Sequence, residues 1–329
     1  MINAAVVGLG WWGRKVVADL ADSSDVHVRY GVDPSAEARR AVVGAVSTLE
    51  SLDEALADPA VDAVILCSPH KFHTDQIVAA AEAGKHVFCE KPLATTGMDA
   101  ERAVKSITAA GLVLGIGHER RFEPAMVALQ EHVEAGRYGR PLVFEGNFSQ
   151  DKFLDLPADN WRLSAVESPV GPLSATGIHL VDLAIALFGH PLEVWARLST
   201  QATQFENGDT LTITLAFPGG QSALITAILA TPFVGRVTVL GSNGWVEIRD
   251  RNHPEESQGW DVSSQLRGEE PTSEFYPPHG SVRANIESFA RAVEGGEAYP
   301  VTLDEIVANA RTFEAITRSA LSGSVEAVI

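Results

Sequence analysis

Ala4-Ala5-Val6-Val7-Gly8-Leu9-Gly10-Trp11-Trp12-Gly13-Arg14 opens the chain with an apolar run, three glycines spaced G-x-G-x-x-G and the start of an amphipathic stretch. Glycine spacing of this kind is common by chance; its position between a strand and a helix gives it meaning. In that context Gly8 permits a tight turn, Gly10 lets a pyrophosphate approach the backbone, and Gly13 lets the helix pack on the strand. Asp33 lies 20 residues beyond Gly13, at the end of the next strand-like run, Val26–Val32. An acid at that point reads a ribose 2′-hydroxyl. The stretch therefore predicts a dinucleotide-binding turn, with Trp11 and Trp12 in its first helical turn. Asp33 favours NAD over NADP, because a carboxylate repels a 2′-phosphate. Arg39 and Arg40 are expected to face solvent on the following helix.

Outward from this turn, apolar runs alternate with amphipathic ones. The predicted strands are Ala4–Val7, Val26–Val32, Val61–Cys67, His86–Cys89 and Leu112–Ile116, with helices at Arg14–Leu20, Ala36–Val42, Thr74–Ala83 and Met98–Ala109. That alternation is the signature of a parallel sheet with crossover helices, an α/β Rossmann domain spanning residues 1–121. The texture then changes. A helix at Pro124–Ala135, a strand at Leu142–Phe148 and a helix at Ile178–Phe188 precede alternating segments joined by turns such as Pro218-Gly219-Gly220. Residues 122–302 are read as an α+β domain with a mostly antiparallel sheet. Arg251–His279 is read as a long loop, and a closing helix at about 303–322 as packing back on the first domain.

Composition excludes several classes. The 329 residues carry 25 basic and 43 acidic side chains, a formal charge of -18, which repels nucleic-acid backbones. No apolar run approaches the roughly 20 residues that span a bilayer. With no leader-like start, the expected compartment is the cytoplasm. The two cysteines, Cys67 and Cys89, end apolar runs and read as buried small residues. No H-E-x-x-H or paired-cysteine spacing points to a metal.

In an open α/β sheet, ligands bind beyond the C-terminal strand ends. Those ends carry Ser68-Pro69-His70, then Glu90-Lys91-Pro92, then Gly117-His118-Glu119-Arg120. The segment Ile65–His73 followed by Glu90-Lys91-Pro92-Leu93, with Trp161-Arg162, Gly177–Asp182 and Glu314-Ala315-Ile316, resembles the Gfo/Idh/MocA family over nearly the whole chain. The family takes its name from glucose–fructose oxidoreductase, inositol dehydrogenase and a rhizopine-catabolism protein. The resemblance implies a Rossmann domain for NAD(P), and a second domain whose large open sheet often builds homodimers or homotetramers. It also implies hydride transfer between nicotinamide and a secondary alcohol or ketone of a sugar, inositol or related polyol. By position it puts Lys91 beside the nicotinamide and the reacting hydroxyl, Glu90 at the nicotinamide ribose, and Ser68, Pro69 and His73 along the cofactor cleft. It makes His179 the acid/base group and the Lys91–Pro92 bond cis. The chemistry wants the same types: an imidazole to take a hydroxyl proton near neutrality and an ammonium to stabilise the oxygen left behind.

One position departs from the pattern. Many members carry an aspartate four residues before the acid/base histidine, and here that residue is Ala175. Ser174, Thr176 and Asp182 are the nearby groups considered as partial substitutes. Arg120, Trp161 and Arg162 are candidates to hold an oxygen-rich substrate, the arginines through their forked donors and the tryptophan as a wall for a sugar face. Two other readings stay open. A retained NAD could drive a net non-redox reaction such as glycoside cleavage, or the chain could be a non-catalytic NAD-binding sensor.

Overall fold

The computed structural model describes residues 1–329. They form two compact units, Met1–Glu119 with Gly280–Ala310, and Arg120–His279 with Arg311–Ile329.

The first unit alternates β1 (Ile2–Val7), α1 (Trp11–Asp19), β2 (Val26–Val32), α2 (Ala36–Arg40), β3 (Ser47–Leu49), α3 (Leu52–Ala57), β4 (Ala63–Leu66), α4 (His73–Glu82), β5 (His86–Cys89), α5 (Gly97–Ala110) and β6 (Leu114–Ile116). The six strands are parallel in the order β3-β2-β1-β4-β5-β6. The chain moves outward from β1 to β3 and then crosses to β4, so the switch point lies between β1 and β4, where such sheets hold dinucleotides. Every residue of β4 is buried, as expected of a strand covered on both faces. Two elements escaped the sequence reading, the short edge strand β3 and the helix α3. The latter starts with a capping box in which the Ser51 side chain accepts from the Glu54 amide and Glu54 returns the bond to Ser51.

The second unit begins with α6 (Pro124–Glu134), β7 (Pro141–Ser149) and α7 (Ile178–Phe188). It continues with β8 (Glu193–Ser199), β9 (Thr210–Ala216), β10 (Ser222–Ile228), β11 (Val234–Gly241), β12 (Gly244–Asp250), β13 (Trp260–Leu266), β14 (Thr272–Tyr276) and the terminal β15 (Glu326–Ala327). These form one nine-stranded sheet, β14-β13-β12-β11-β7-β10-β9-β8-β15, antiparallel except between β7 and β10. Alternation along β10 buries Ala223, Ile225 and Ala227 and turns Leu224 outward. The stretch Arg251–His279, read from sequence as a loop, instead contributes β13 and β14. Few of their positions are buried and apolar, Trp260 in β13 being the exception; β14 forms the sheet edge on β13, and β13 pairs with β12, so strand pairing rather than burial defines them.

The C-terminal helices also correct the boundary drawn from sequence. Helix α8 (Ser281–Val293) belongs with the first unit, not the second. Its Ile286, Phe289 and Ala290 are fully buried in the Rossmann core, with the Phe289 ring edge-on to Phe88 at 5.7 Å. Asn285 and Tyr299 each donate to the Ile116 carbonyl at 2.9 Å, tying the returning chain to the end of β6. Burying such side chains contributes roughly 1.5–3 kcal/mol each, enough to override chain order. Helix α9 (Leu303–Ser322) lies partly in each unit, its first residues adding Ile306 and Ala310 to the Rossmann core. No helix of the chain is long and apolar enough to cross a membrane.

Candidate active site

The glycine turn is built as its spacing implies. Gly8 has φ +92°, and a Cβ on Gly13 would stand 1.8 Å from the Gly8 carbonyl oxygen, so α1 packs on the turn only with a bare backbone there. A Cβ on Gly10 would meet nothing within 4 Å, which leaves open space over the turn. Helix α1 has Gly10 at its N-cap, with no side chain capping its first amides and no acid in its first turn. These amides and the helix dipole suit a diphosphate. Asp33 locks the turn from the end of β2. One carboxylate oxygen accepts the Leu9 amide at 2.8 Å and the other accepts the Ser35 amide at 2.8 Å. A carboxylate offers about four acceptor sites, so capacity remains for ribose hydroxyls. Arg39, expected to face solvent, folds back so that its guanidinium donates to the carbonyls of Asp33 and Pro34 at 2.6 and 3.0 Å. The residues present therefore fit a nicotinamide dinucleotide.

At the next strand ends, His73 is fully buried between two carbonyls, Ser68 O at 2.8 Å and Pro92 O at 2.9 Å. It staples the loop after β4 to the turn after β5, so it shapes the cleft wall through Ser68 and Pro92. Burial holds its basicity below the usual imidazole range, against the pull of those carbonyls. Ser68 is further fixed by donating to Gln76 at 2.5 Å. The Lys91–Pro92 bond is cis.

Glu90, the residue before Lys91, is buried beneath this turn. Desolvation first, and the neighbouring Glu119 carboxylate second, push its carboxyl up to about 8. The Trp12 indole, the Lys91 charge and the Lys91 amide, 3.3 Å from Oε2, oppose that rise. Gly117 makes the space, since a Cβ there would lie 2.4 Å from Glu90 Oε2. Burial first, and the nearby Glu90 carboxyl, push the thiols of half-buried Cys67 and buried Cys89 well up, which disfavours thiolate at either.

In the second unit, His179 is buried in the first turn of α7. The approach to it is irregular. Val170, a β-branched residue, has φ +53°, and residues Leu173–Gly177 form a π-helical turn. Such backbone costs about 1–3 kcal/mol and persists only where neighbours over-determine it. Here the Leu173 amide donates to the Val170 carbonyl at 2.9 Å, and the Gly171 amide donates to Asn207 O at 2.8 Å. The buried Asn207 amide in turn holds the carbonyls of Arg162 and Ser168 at 2.7 and 2.8 Å.

The groups considered as substitutes for an aspartate at Ala175 have other partners. Ser174 donates to Pro169 O at 3.1 Å and Thr176 to Pro172 O at 3.3 Å. Asp182 takes a bidentate pair from Arg121 at 2.7 and 2.9 Å. Arg120 is 1% exposed, its guanidinium shared between Glu123 at 3.2 Å and Asp250 at 2.9 Å, and Trp260 adds an indole donor to Asp250. Those two carboxylates balance its charge, and the guanidinium lies over the Phe148 ring at 5.3 Å. Arg162 stacks on Trp161 at 4.4 Å, and burial draws its pKa below the usual guanidinium value.

Sequence reasoning missed the ring cluster around His179. Phe148 lies 5.9 Å from the His179 ring, 5.5 Å from His253 and 6.1 Å from Phe233. Period-2 alternation marks Phe148 as inward-facing, but nothing local in the sequence links it to His253, roughly a hundred residues on.

Residues 2–118 match the family model described as "Oxidoreductase family, NAD-binding Rossmann fold", and residues 126–247 match the "GFO/IDH/MocA C-terminal domain". The chain is 29% identical to D-xylose 1-dehydrogenase (NADP(+)) 2 of Haloferax volcanii over 97% of both chains. It is 28% identical to scyllo-inositol 2-dehydrogenase (NAD(+)) of Bacillus subtilis, over 77% of this chain and 75% of that one. Among solved structures, the aldose–aldose oxidoreductase from Caulobacter crescentus complexed with glycerol superposes with a TM-score of 0.86 at 27% identity, over 99% of each chain. With a parallel dinucleotide-binding sheet, a largely antiparallel second sheet and both family models matched in order, the chain belongs to the GFO/IDH/MocA family of NAD(P)-binding oxidoreductases.

Proposed function

We propose that this oxidoreductase interconverts a secondary alcohol of a sugar, inositol or related polyol with its ketone, and prefers NAD to NADP. The observation that supports the reading most is the glycine turn locked by Asp33, whose carboxylate holds the Leu9 and Ser35 amides and would repel a 2′-phosphate bound beside it. Relatives named for D-xylose and scyllo-inositol support the substrate class, and they divide between the two cofactors. When bound, the nicotinamide supplies the hydride acceptor. The amides around Gly8, Gly10, Trp11, Trp12 and Gly13 hold the pyrophosphate, and Asp33 holds the adenosine ribose. Ser68, Pro69, Glu90 and Lys91 hold the nicotinamide half, and His73 keeps their loops in place.

His179 takes the hydroxyl proton, and the Lys91 ammonium stabilises the oxygen as that proton leaves. With Ala175 in the aspartate's usual place, these two groups carry the chemistry without a carboxylate from that position. Trp161 and Arg162 offer an apolar wall and a forked donor to the rest of the substrate, whereas Arg120 serves by fixing Phe148.

The sheet of the second unit supports self-association. A row of side chains runs across it from Trp195 through Thr214, Leu224, Glu145 and Thr238 to Glu247, with Trp195 40% and Leu224 45% exposed. We read this face as the contact between copies in a homodimer or homotetramer.

Three outcomes test these readings. Incubated with NAD or NADP and a panel of D-xylose, scyllo-inositol, levoglucosan and sugar acids, the protein should reduce NAD faster than NADP with at least one polyol. Lys91→Ala and His179→Ala should each lower kcat by about a hundredfold or more. Tight NAD binding without turnover of any polyol would contradict this and favour the sensor reading. In sedimentation, the wild type should run as a dimer or tetramer and Trp195→Glu/Leu224→Glu as a smaller species; a monomeric wild type would remove the oligomer reading. Finally, the Glu90 carboxyl rises from its unfolded range near 4.5 to about 8, so the folded state holds the extra proton. Its contribution to stability is full below the unfolded value and is lost as pH rises through about 8. The melting temperature of the cofactor-free protein should therefore fall across that window, and Glu90→Gln should flatten the fall; an unchanged profile would refute the buried-acid account.

A further inference from the structure

The loops after β7 and β12 meet around His253, a buried imidazole in the ring cluster beside His179. Lys152, from the loop after β7, donates its ammonium to His253 Nδ1 at 3.1 Å and to Glu255 at 2.7 Å. The Glu255 amide also donates to Nδ1, at 3.3 Å. Two donors on Nδ1 make that nitrogen an acceptor, so the ring proton sits on Nε2. The Lys152 charge is matched by Glu255, so the device fixes a tautomer without adding net charge. Phe148 and Phe233 flank the same imidazole at 5.5 Å each, and Phe148 also touches the His179 ring. The result is one directed N–H donor set among apolar rings, sharing the Phe148 ring with the histidine assigned to the reacting hydroxyl. Apolar ring faces with a few fixed polar groups are what recognise a sugar-like ligand by its C–H faces and individual oxygens.

We propose that His253 is a specificity-determining residue, donating through Nε2–H to an oxygen of the polyol other than the one oxidised, with Lys152 as the residue that positions it. The assignment rests on the reading of His179 as the acid/base group. It extends the substrate class to polyols that carry an acceptor oxygen beside the reacting carbon, since a site built around a fixed donor discriminates against ligands lacking its partner.

The test is steady-state kinetics of wild type, His253→Ala, His253→Gln and Lys152→Met, using D-xylose, scyllo-inositol, levoglucosan and monodeoxy analogues of whichever is turned over. In His253→Ala the polyol KM should rise about tenfold, while kcat stays within about threefold and the NAD KM is unchanged. His253→Gln, which keeps a donor near the Nε2 position, should recover part of the loss, and Lys152→Met should show a smaller rise in polyol KM. One monodeoxy analogue, poor for wild type, should be no worse than its parent for His253→Ala, a loss of discrimination that a purely structural histidine would not produce. An unchanged polyol KM, or equal losses for parent and every deoxy analogue, would overturn the assignment while leaving the dehydrogenase reading intact. Should His253→Ala fail to fold, the deoxy comparison in His253→Gln decides. A wild type silent on the whole panel would overturn the dehydrogenase reading, and this assignment with it.

Discussion

Helix α1 reaches the end of β1 because Gly13 has no side chain to strike the Gly8 carbonyl. That contact brings the first helical amides to the open side of the turn, where no side chain competes for them. It also sets the Leu9 amide within reach of Asp33, which couples the turn to β2. The sheet order puts β4 and β5 on the other side of β1, so Ser68 and Glu90-Lys91 arrive at neighbouring strand ends. His73 then clasps those two ends through their carbonyls. The first unit is thus a chain of dependences that starts from one missing Cβ.

The second unit solves a different problem, holding an imidazole in a mostly apolar interior. The Phe148 ring is its hub, with the Arg120 guanidinium and the rings of His179, Phe233 and His253 around it. Arg120 is fixed by Glu123 and Asp250, both buried, and losing one partner from such a group costs about 3–5 kcal/mol. The left-handed Val170 and the π-helical turn are held by Asn207, which secures the backbone entering α7. Stability and site geometry are therefore not separable here: the groups that support the histidine are also part of the core.

The Rossmann half was legible because its signals are local. Glycine spacing, an acid at the end of the second strand and apolar runs followed by amphipathic ones each lie within a short stretch of chain. Helix α3 escaped, because its six residues are too few for periodicity to announce it and only the Ser51–Glu54 capping box marks its start. Strands β13 and β14 were hidden because few of their positions are apolar, β14 being the sheet edge and β13 its neighbour. The return of α8 to the first unit was hidden because chain order suggested otherwise, and only the fit of Phe289 against Phe88 decides it. Lys91 and His179 entered as candidates through their motifs. The neutralisation of Arg120 and the grouping of Phe148 with His253 depend on contacts distant in sequence, which no local pattern encodes.

The central claim is that hydride passes directly between a polyol carbon and the nicotinamide of a dinucleotide whose pyrophosphate sits on the Gly8–Gly13 turn. The most direct measurement uses a turned-over polyol carrying deuterium on the carbon that is oxidised, with mass analysis of the isolated cofactor. The account expects one deuterium per reduced nicotinamide, on a single face of C4. Reduced cofactor without deuterium, or product formed with no label in the cofactor, would contradict it.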